Sequence, residues 1–501
     1  MKHPDPLQLG EQKEAFLAGS ISLDSTVKKL IEDLELREFG ESCFGYPSVL
    51  LPNYIAFVLA NNLKDEKSIL GQHKAIEELS MPEQYQNLNI LLRSMAKLKK
   101  KVETRNVFWD IHSEIQSKLE ILSDYKNLLD GLENVFNDSQ AYPLHSIANF
   151  AKEIKNSEEY SRFLPLVVER GMDSVKVHLE ITLDVVGGVT KMRFKKPEYG
   201  PKVPWNDIVQ HYLQGVKHGP GASWMYKRRI LYALKSILDE NSESIKGVVD
   251  LALDLEFYQA MVNYERLMNM NGIPTVIPEI TEDGVAIKGM RHALQAAIGK
   301  KEVPNDYYSD KNERVLLMTG ANDSGKSYYG KARAICQLLF QRGCKIPAEY
   351  ARMRIVDNVY THFGEKDNVL KGMGLYLSDL SRMRTIMESL TSKSLIVIDE
   401  PCKGTDKQGE AQSFYFLEAF SETGAEVIFN SHFHGLGKMV ENMPSVRMMH
   451  PITELSDSKK LVYKRTMAPG PAGTSYALEV AESAGFGREA LMEKARAAKN
   501  R

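Results

Sequence analysis

An apolar run, Val315-Leu316-Leu317-Met318, leads directly into Thr319-Gly320-Ala321-Asn322-Asp323-Ser324-Gly325-Lys326-Ser327. From Tyr328 to Phe340 apolar residues then recur at helical spacing through Ala332, Ile335, Cys336 and Leu339. A buried strand, a glycine-bounded turn and a helix in this order leave few folds open, because the helix must return to cover the sheet that the strand belongs to. In that setting Gly-x-x-x-x-Gly-Lys-Ser reads as a phosphate-binding loop. Its glycines let successive backbone N–H groups turn toward an anion, and the helix aims its positive end at the same point. Gly320, Ala321, Asn322, Asp323, Ser324 and Gly325 would form the cradle, while Lys326 and Ser327 would hold outer phosphates and Mg²⁺.

Length and charge limit what the rest can be. A chain of 501 residues has room for several domains and more than one core. With 64 basic and 66 acidic side chains the net charge is −2, so contact with nucleic acid must come from local patches and not from an overall attractive field. Cys43, Cys336, Cys344 and Cys402 are scattered without a CxxC spacing, which argues for a reduced protein without structural zinc. The opening residues lack an apolar signal core, and no apolar run reaches membrane-spanning length, so the expected location is cytoplasmic with no membrane contact.

From about residue 22 to 175 the pattern is helical: Ser25 to Glu35, Glu66 to Leu79, Tyr85 to Val102 and Val107 to Phe136 combine apolar spacings of three and four with many charges. Lys97, Lys99, Lys100 and Lys101 form the densest basic run, readable as a solvated helix face or as a phosphate contact. At Lys176 the rhythm changes. Val177, Leu179, Ile181, Leu183 and Val185 alternate up to Gly187-Gly188, and Val189, Met192 and Phe194 follow, the pattern of a hairpin closed by two glycines. A loop-rich insert with Lys195, Lys196, Lys202, Trp205, Trp224, Tyr226, Lys227, Arg228 and Arg229 interleaves basic and aromatic residues, as a nucleic-acid backbone contact would, or as a solvated insert would. Helical spacing resumes from Ile230 to Met268 and breaks at Gly272-Ile273-Pro274.

Beyond that break, strand candidates at Val285–Ile287, Val315–Met318, Leu395–Ile398 and Val427–Phe429 alternate with helices, predicting a parallel sheet whose ligands sit at the strands' carboxyl ends. Leu395 to Ile398 ends in Asp399-Glu400: Asp399 can hold the metal shell and Glu400 can orient or deprotonate an attacking water. Val427 to Phe429 ends in Asn430-Ser431-His432-Phe433-His434, where His432 could stabilise a terminal phosphate; His-x-His without further ligands is a poor metal site.

Together these elements resemble the ATPase of the MutS family of DNA mismatch-repair proteins. The matching runs are Val303-Pro304-Asn305-Asp306, Thr319 through Ser327, Ile346-Pro347-Ala348, Asp367 to Gly372, Asp399-Glu400 with Lys403-Gly404-Thr405, Ser431 to His434, and Pro469 to Gly473 with Ser475-Tyr476 and Val480-Ala481. The N-terminal half resembles the family only in outline, through Leu63-Lys64-Asp65 and the helix to Leu79. The resemblance implies an α+β multidomain chain, with an N-terminal all-α core and lever domain followed by a C-terminal α/β P-loop NTPase domain of the ABC/MutS type. Boundaries would fall at 1–175 for the helical core and lever, 176–225 for a hairpin and basic insert at or near a clamp, 226–270 for returning helices and 271–501 for the ATPase. It further implies ATP and Mg²⁺ as cofactors, a homodimer or heterodimer through the ATPase domain, and duplex or branched DNA as partner. Asn322, Lys326 and Ser327 would contact phosphates and magnesium, Asp399 the metal, Glu400 the attacking water, His432 the γ-phosphate, and Val303 and Asn305 would sit beside the adenine.

This sequence departs from the family pattern in several places. Glu302 stands where an aromatic residue stacks on the base, Gly374 where a partner's serine reaches the γ-phosphate, Asp323 where the loop is apolar, and His362 where arginine is usual. A mismatch-recognition domain, a nuclease domain and a C-terminal dimerisation extension are all expected to be missing, with Phe39-Gly40-Glu41 a coincidental match to the recognition wedge. The expected activity is ATP hydrolysis by a dimeric clamp that switches its grip on DNA. An ATP-driven clamp on RNA or ribosomes and a weakly hydrolysing scaffold are the alternatives. An ABC-type transporter subunit is disfavoured, since no Leu-Ser-Gly-Gly run occurs between the two phosphate elements.

Overall fold

The computed structural model describes residues 4–17, 24–43, 50–104, 110–167, 174–176, 179–183, 189–194, 198–200, 220–321, 324–364, 372–402, 407–433, 435–455, 461–471 and 486–499. The chain divides into two compact units, Met1–Leu7 with Glu77–Gln259, and Gln8–Ile76 with Ala260–Arg501. Residues 8–76, which the sequence pattern joins to an all-α N-terminal domain, therefore belong to the unit that contains the phosphate loop.

The first unit is built mainly from long helices. Pro82–Glu103 buries Leu88, Leu91, Met95 and Leu98 at spacings of three and four, and Ile111–Phe136 buries Leu122, Tyr125, Leu129, Leu132 and Phe136 at the same spacings. Pro82 fits the first turn of its helix, where its missing N–H costs nothing, and Asp110 caps the next by accepting from the Ser113 N–H at 2.9 Å. The lysine run is largely spent inside this unit. Lys97 pairs with Asp124 at 2.9 Å, Lys101 with Glu120 and Asp124 at 2.8 Å each, and Lys99 with Glu103 at 4.0 Å.

Short strands β1 (Ser174–Lys176), β2 (Leu179–Leu183), β3 (Val189–Phe194) and β4 (Glu198–Gly200) follow. β2 pairs antiparallel with β3, Leu179 opposite Phe194 and Ile181 opposite Met192, as the alternation predicts. The two-glycine turn lies outside the described residues. Trp224 to Arg229 do not lie in a loop. They are part of the helix Pro220–Glu240, which starts at the proline and continues the period-3.6 pattern resumed at Ile230.

The second unit holds two sheets. The smaller comprises β5 (Glu279–Ile280), β6 (Gly284–Met290), β7 (Asn305–Asp310) and β9 (Tyr350–Met353) in the order β5-β9-β6-β7. The larger comprises β8 (Val315–Thr319), β10 (Val359–Phe363), β11 (Leu395–Asp399), β12 (Glu426–Ser431), β13 (Val446–Leu455) and β14 (Leu461–Pro469), ordered β10-β11-β12-β8-β13-β14. Its first five strands are mutually parallel and β14 runs antiparallel against β13. β8 and β12 are buried along their whole length, which is why Val315–Met318 and Val427–Phe429 read as continuous apolar runs and not as alternating ones.

Helices cover this sheet. Met383 and Ile386 of the helix Gly372–Ser389 and Leu417 and Phe420 of Lys407–Thr423 share one core with Leu317, Ile396, Ile398, Val427 and Phe429. The helix Lys326–Gln341 presents Gly330 to the sheet. A Cβ there would come within 2.8 Å of Val397, so glycine is what lets helix and strand approach. Fully buried Glu426 at the start of β12 accepts from Tyr307 Oη at 2.8 Å and Arg333 Nε at 2.9 Å, with Arg354 Nε 3.5 Å from its other oxygen. Burial raises the Glu426 carboxyl, but Arg333 and Arg354 outweigh it and hold the group below its ordinary value. Among the described residues no helix is long and apolar enough to cross a membrane.

Candidate active site

The carboxyl ends of β8, β11 and β12 meet at one cleft of about 540 Å³, lined by Ser324, Gly325, Lys326, Ser327, Asp399 and Glu400 at one end. Lys301, Glu302, Val303 and Asn305 line the other, with Tyr328, Tyr329, Arg465 and Met467. β8 lies between β12 and β13, the position in an open α/β sheet where the connections part and leave a crevice.

Gly325 has φ +105° and caps the helix Lys326–Gln341, a conformation that suits glycine, and it delivers the chain from strand to helix in a tight turn. The buried Lys326 ammonium donates to the carbonyls of Gly320 at 2.7 Å and Ala321 at 2.9 Å, which draws it inside the loop's curve. Ser324 Oγ donates to the Ala321 carbonyl at 2.6 Å. Asn322 and Asp323 lie outside the described residues.

Asp399 stands at the end of β11, where Oδ1 accepts from Ser327 Oγ at 2.9 Å and from Asn430 Nδ2 at 2.8 Å. Asn430 also receives the Glu400 N–H on its backbone oxygen at 3.0 Å, so the ends of β11 and β12 are tied together directly behind the two acids. Glu400 has φ +50° and Cys402 φ +65°, left-handed conformations that are strained for residues with a Cβ. His432 Nδ1 lies 3.9 Å from Glu400 Oε1 at the rim, and its ring packs against Phe433 at a tilt of 36° with centroids 4.3 Å apart. Lys326, Ser327, Asp399 and Glu400 thus converge, with His432 reached through Glu400. His434 lies outside the described residues.

At the far end, Asn305 is clamped to β14: Oδ1 accepts from the Met467 N–H at 2.8 Å, and Nδ2 donates to the Arg465 carbonyl at 2.9 Å and to Val303 at 3.2 Å. The register of β13 and β14 slips here, so that Lys464, Arg465 and Thr466 face the single residue Ile452, and Arg465 takes φ +59°. Such a bulge re-aims a side chain, and it accounts for Arg465 reaching the cleft. The Glu302 carboxylate accepts from the Tyr328 hydroxyl and, at 3.3 Å, from the His292 N–H. The sequence pattern assigns no role to Tyr328, Tyr329, Arg465, Met467, Lys301 or Asn430. Only Tyr328 and Tyr329, directly after the loop, carried a positional signal.

Of the other departures, His362 is buried in β10 with Nε2 3.6 Å from Asp379 Oδ1. Burial, and then the charge of Arg382, push it down to about 3, so it is a neutral side chain. Gly374 lies in the first turn of the helix Gly372–Ser389.

A family model described as MutS domain V matches residues 316–501. The DNA mismatch repair protein MutS of Thermotoga maritima is 29% identical over 253 residues, covering 50% of this chain and 30% of that protein. Its counterpart in Geobacillus kaustophilus is 34% identical over 221 residues, 43% of this chain and 24% of the relative. The protein of that name from Flavobacterium johnsoniae is 24% identical over 493 residues, 85% of this chain and 55% of the relative. The matched stretch is thus 24% to 55% of the length of these relatives. Residues 316–501, which contain the phosphate end of the cleft, match MutS domain V, and the similarity to proteins named DNA mismatch repair protein MutS extends beyond that stretch.

Proposed function

We propose that the chain is a Mg²⁺-dependent ATPase whose nucleotide state sets its grip on duplex or branched DNA, acting as a dimer through the unit that holds the cleft. The observation that carries this reading is the convergence of Lys326, Ser327, Asp399 and Glu400 on one cleft at the sheet's carboxyl edge. Similarity to proteins named for DNA mismatch repair supports the DNA part.

Each residue has a task that its surroundings favour. Backbone N–H groups of the loop and the Lys326 ammonium bind the β- and γ-phosphates, the lysine exchanging its two carbonyl partners for phosphate oxygens. Ser327 Oγ and Asp399 would hold magnesium. Both are hard oxygen donors already 2.9 Å apart, and the described residues give Asp399 Oδ2 no hydrogen bond. Bound there, the metal would neutralise charge gathering on the phosphate oxygens. Glu400 accepts the proton of the attacking water, and His432 beside it donates to the terminal phosphate.

Steady-state phosphate release by the wild type, Lys326→Ala and Glu400→Gln, with and without homoduplex and four-way-junction DNA, tests the proposal. Release by the wild type alone, with DNA binding that weakens steeply as salt rises, is the expected result. An inert wild type that still binds nucleotide would refute hydrolysis. Salt-insensitive or absent DNA binding would refute the clamp.

A further inference from the structure

The far end of the cleft has polar side chains close to where a base would lie, yet two of them are engaged elsewhere. Both ends of the Asn305 amide are bound to backbone groups, Oδ1 to Met467 and Nδ2 to Val303 and Arg465. Glu302 Oε2 accepts from the Tyr328 hydroxyl and the His292 N–H. The Tyr328 ring remains. It lines the cleft one residue past Ser327, is 36% exposed, and is backed by the buried His292 ring at 4.7 Å between centroids and 33° between planes. Burial, and then the Lys331 charge, push His292 down to about 4, so the ring behind Tyr328 is neutral near pH 7. A tyrosine whose hydroxyl is fixed and whose back is packed has lost its rotamer freedom before any ligand arrives, which makes it a preorganised flat surface.

We infer that Tyr328 is the platform on which the base of the bound nucleotide stacks, held in place by Glu302 and His292, and that the cleft grips purines by their faces with little reading of their edges. The inference rests on the nucleotide-binding reading above. Stacking tolerates any base, because every base presents a π-face. ATP and GTP should therefore bind with similar strength. Glu302 and His292 are positioning residues that act through Tyr328.

Isothermal titration of the full chain in Mg²⁺ with ATPγS, GTPγS and inorganic tripolyphosphate tests this. For the wild type, ATPγS and GTPγS should agree within about tenfold, and both should bind more tightly than tripolyphosphate. Tyr328→Ala should weaken both nucleotides by a common factor of about 5 to 150 and leave tripolyphosphate within about twofold. Tyr328→Phe keeps the ring and should stay within about threefold of wild type. The inference is overturned if Tyr328→Ala binds ATPγS as the wild type does, if it loses tripolyphosphate equally, or if the wild type prefers one purine by far more than tenfold. A wild type that binds tripolyphosphate and ATPγS equally well overturns this inference alone. A wild type that binds none of the three overturns the nucleotide reading and this one with it.

Discussion

At the phosphate end of the cleft every group comes from the end of a parallel strand or from the loop beyond it, and the second contact of each is backbone or a neighbouring strand: Lys326 on Gly320 and Ala321, Asp399 on Ser327 and Asn430, Glu400 N–H on Asn430. At the base end the groups come from a connection at 301–305, the first turn of a helix and a bulged edge strand, and two side chains hold them: Asn305 on backbone groups of β14, and Glu302 on the Tyr328 hydroxyl and the His292 backbone N–H. The first arrangement follows from sheet topology and varies little once the strands are in register. The second depends on the identity of a few side chains, Asn305, Glu302 and Tyr328, so it is where ligand contacts can change without disturbing the chemistry.

The difference can be tested by damaging each end separately. Glu400→Gln should lower turnover by about 10²- to 10⁴-fold, the usual cost of losing a general base, while ATPγS affinity stays within a few-fold. A matching loss of affinity would mean that the carboxylate serves binding and not proton transfer. Next in size is Glu426, which anchors Arg333 of the loop helix and Tyr307 of β7 and so underlies both ends. Glu426→Ala strands two buried cations and should cost about 3–5 kcal/mol of stability, read from chemical denaturation. Because the folded carboxyl is held below its unfolded value near 4.5, its contribution is fully present above that pH and is lost as pH falls through the lowered folded value. The difference in Tm between wild type and Glu426→Gln should therefore shrink on acidification below about 4.5, and a constant difference would show that Glu426 acts by shape alone. The smallest effect belongs to Asn305→Ala, about 1 kcal/mol in stability, with weakened ATPγS and unchanged tripolyphosphate affinity. If tripolyphosphate binding falls as well, the two ends are coupled and the contrast drawn between them fails.

The same contrast explains what could be read in advance. Val315 to Ser327, Leu395 to Glu400 and Val427 to His432 were legible because a strand buried on both faces must be continuously apolar, and a loop that wraps an anion must carry glycine. Arg465 and Met467 were not, since their role depends on β14 returning antiparallel at the sheet's edge with a bulge opposite Ile452, a long-range pairing that leaves no local period. The helix starting at Pro220 was obscured by the glycines and basic residues around it, which favour a loop when judged locally. Attachment of residues 8–76 to the second unit could not be seen along the chain either. It rests on pairs such as Asp33 with Arg382, Glu35 with Lys331 at 2.8 Å, and Gln341 with the Leu63 carbonyl at 2.6 Å, each bridging hundreds of positions.

Glu400 and Cys402 flank Pro401 with left-handed backbones, and the acid proposed to activate water sits on the first of them. Valine or isoleucine at that position would meet its own neighbouring carbonyl, whereas glycine would relax the bend and delete the acid in the same stroke. Thermal endurance and turnover are thus set against each other at a single link of the chain, and selection for one alone would be expected to erase the other there first.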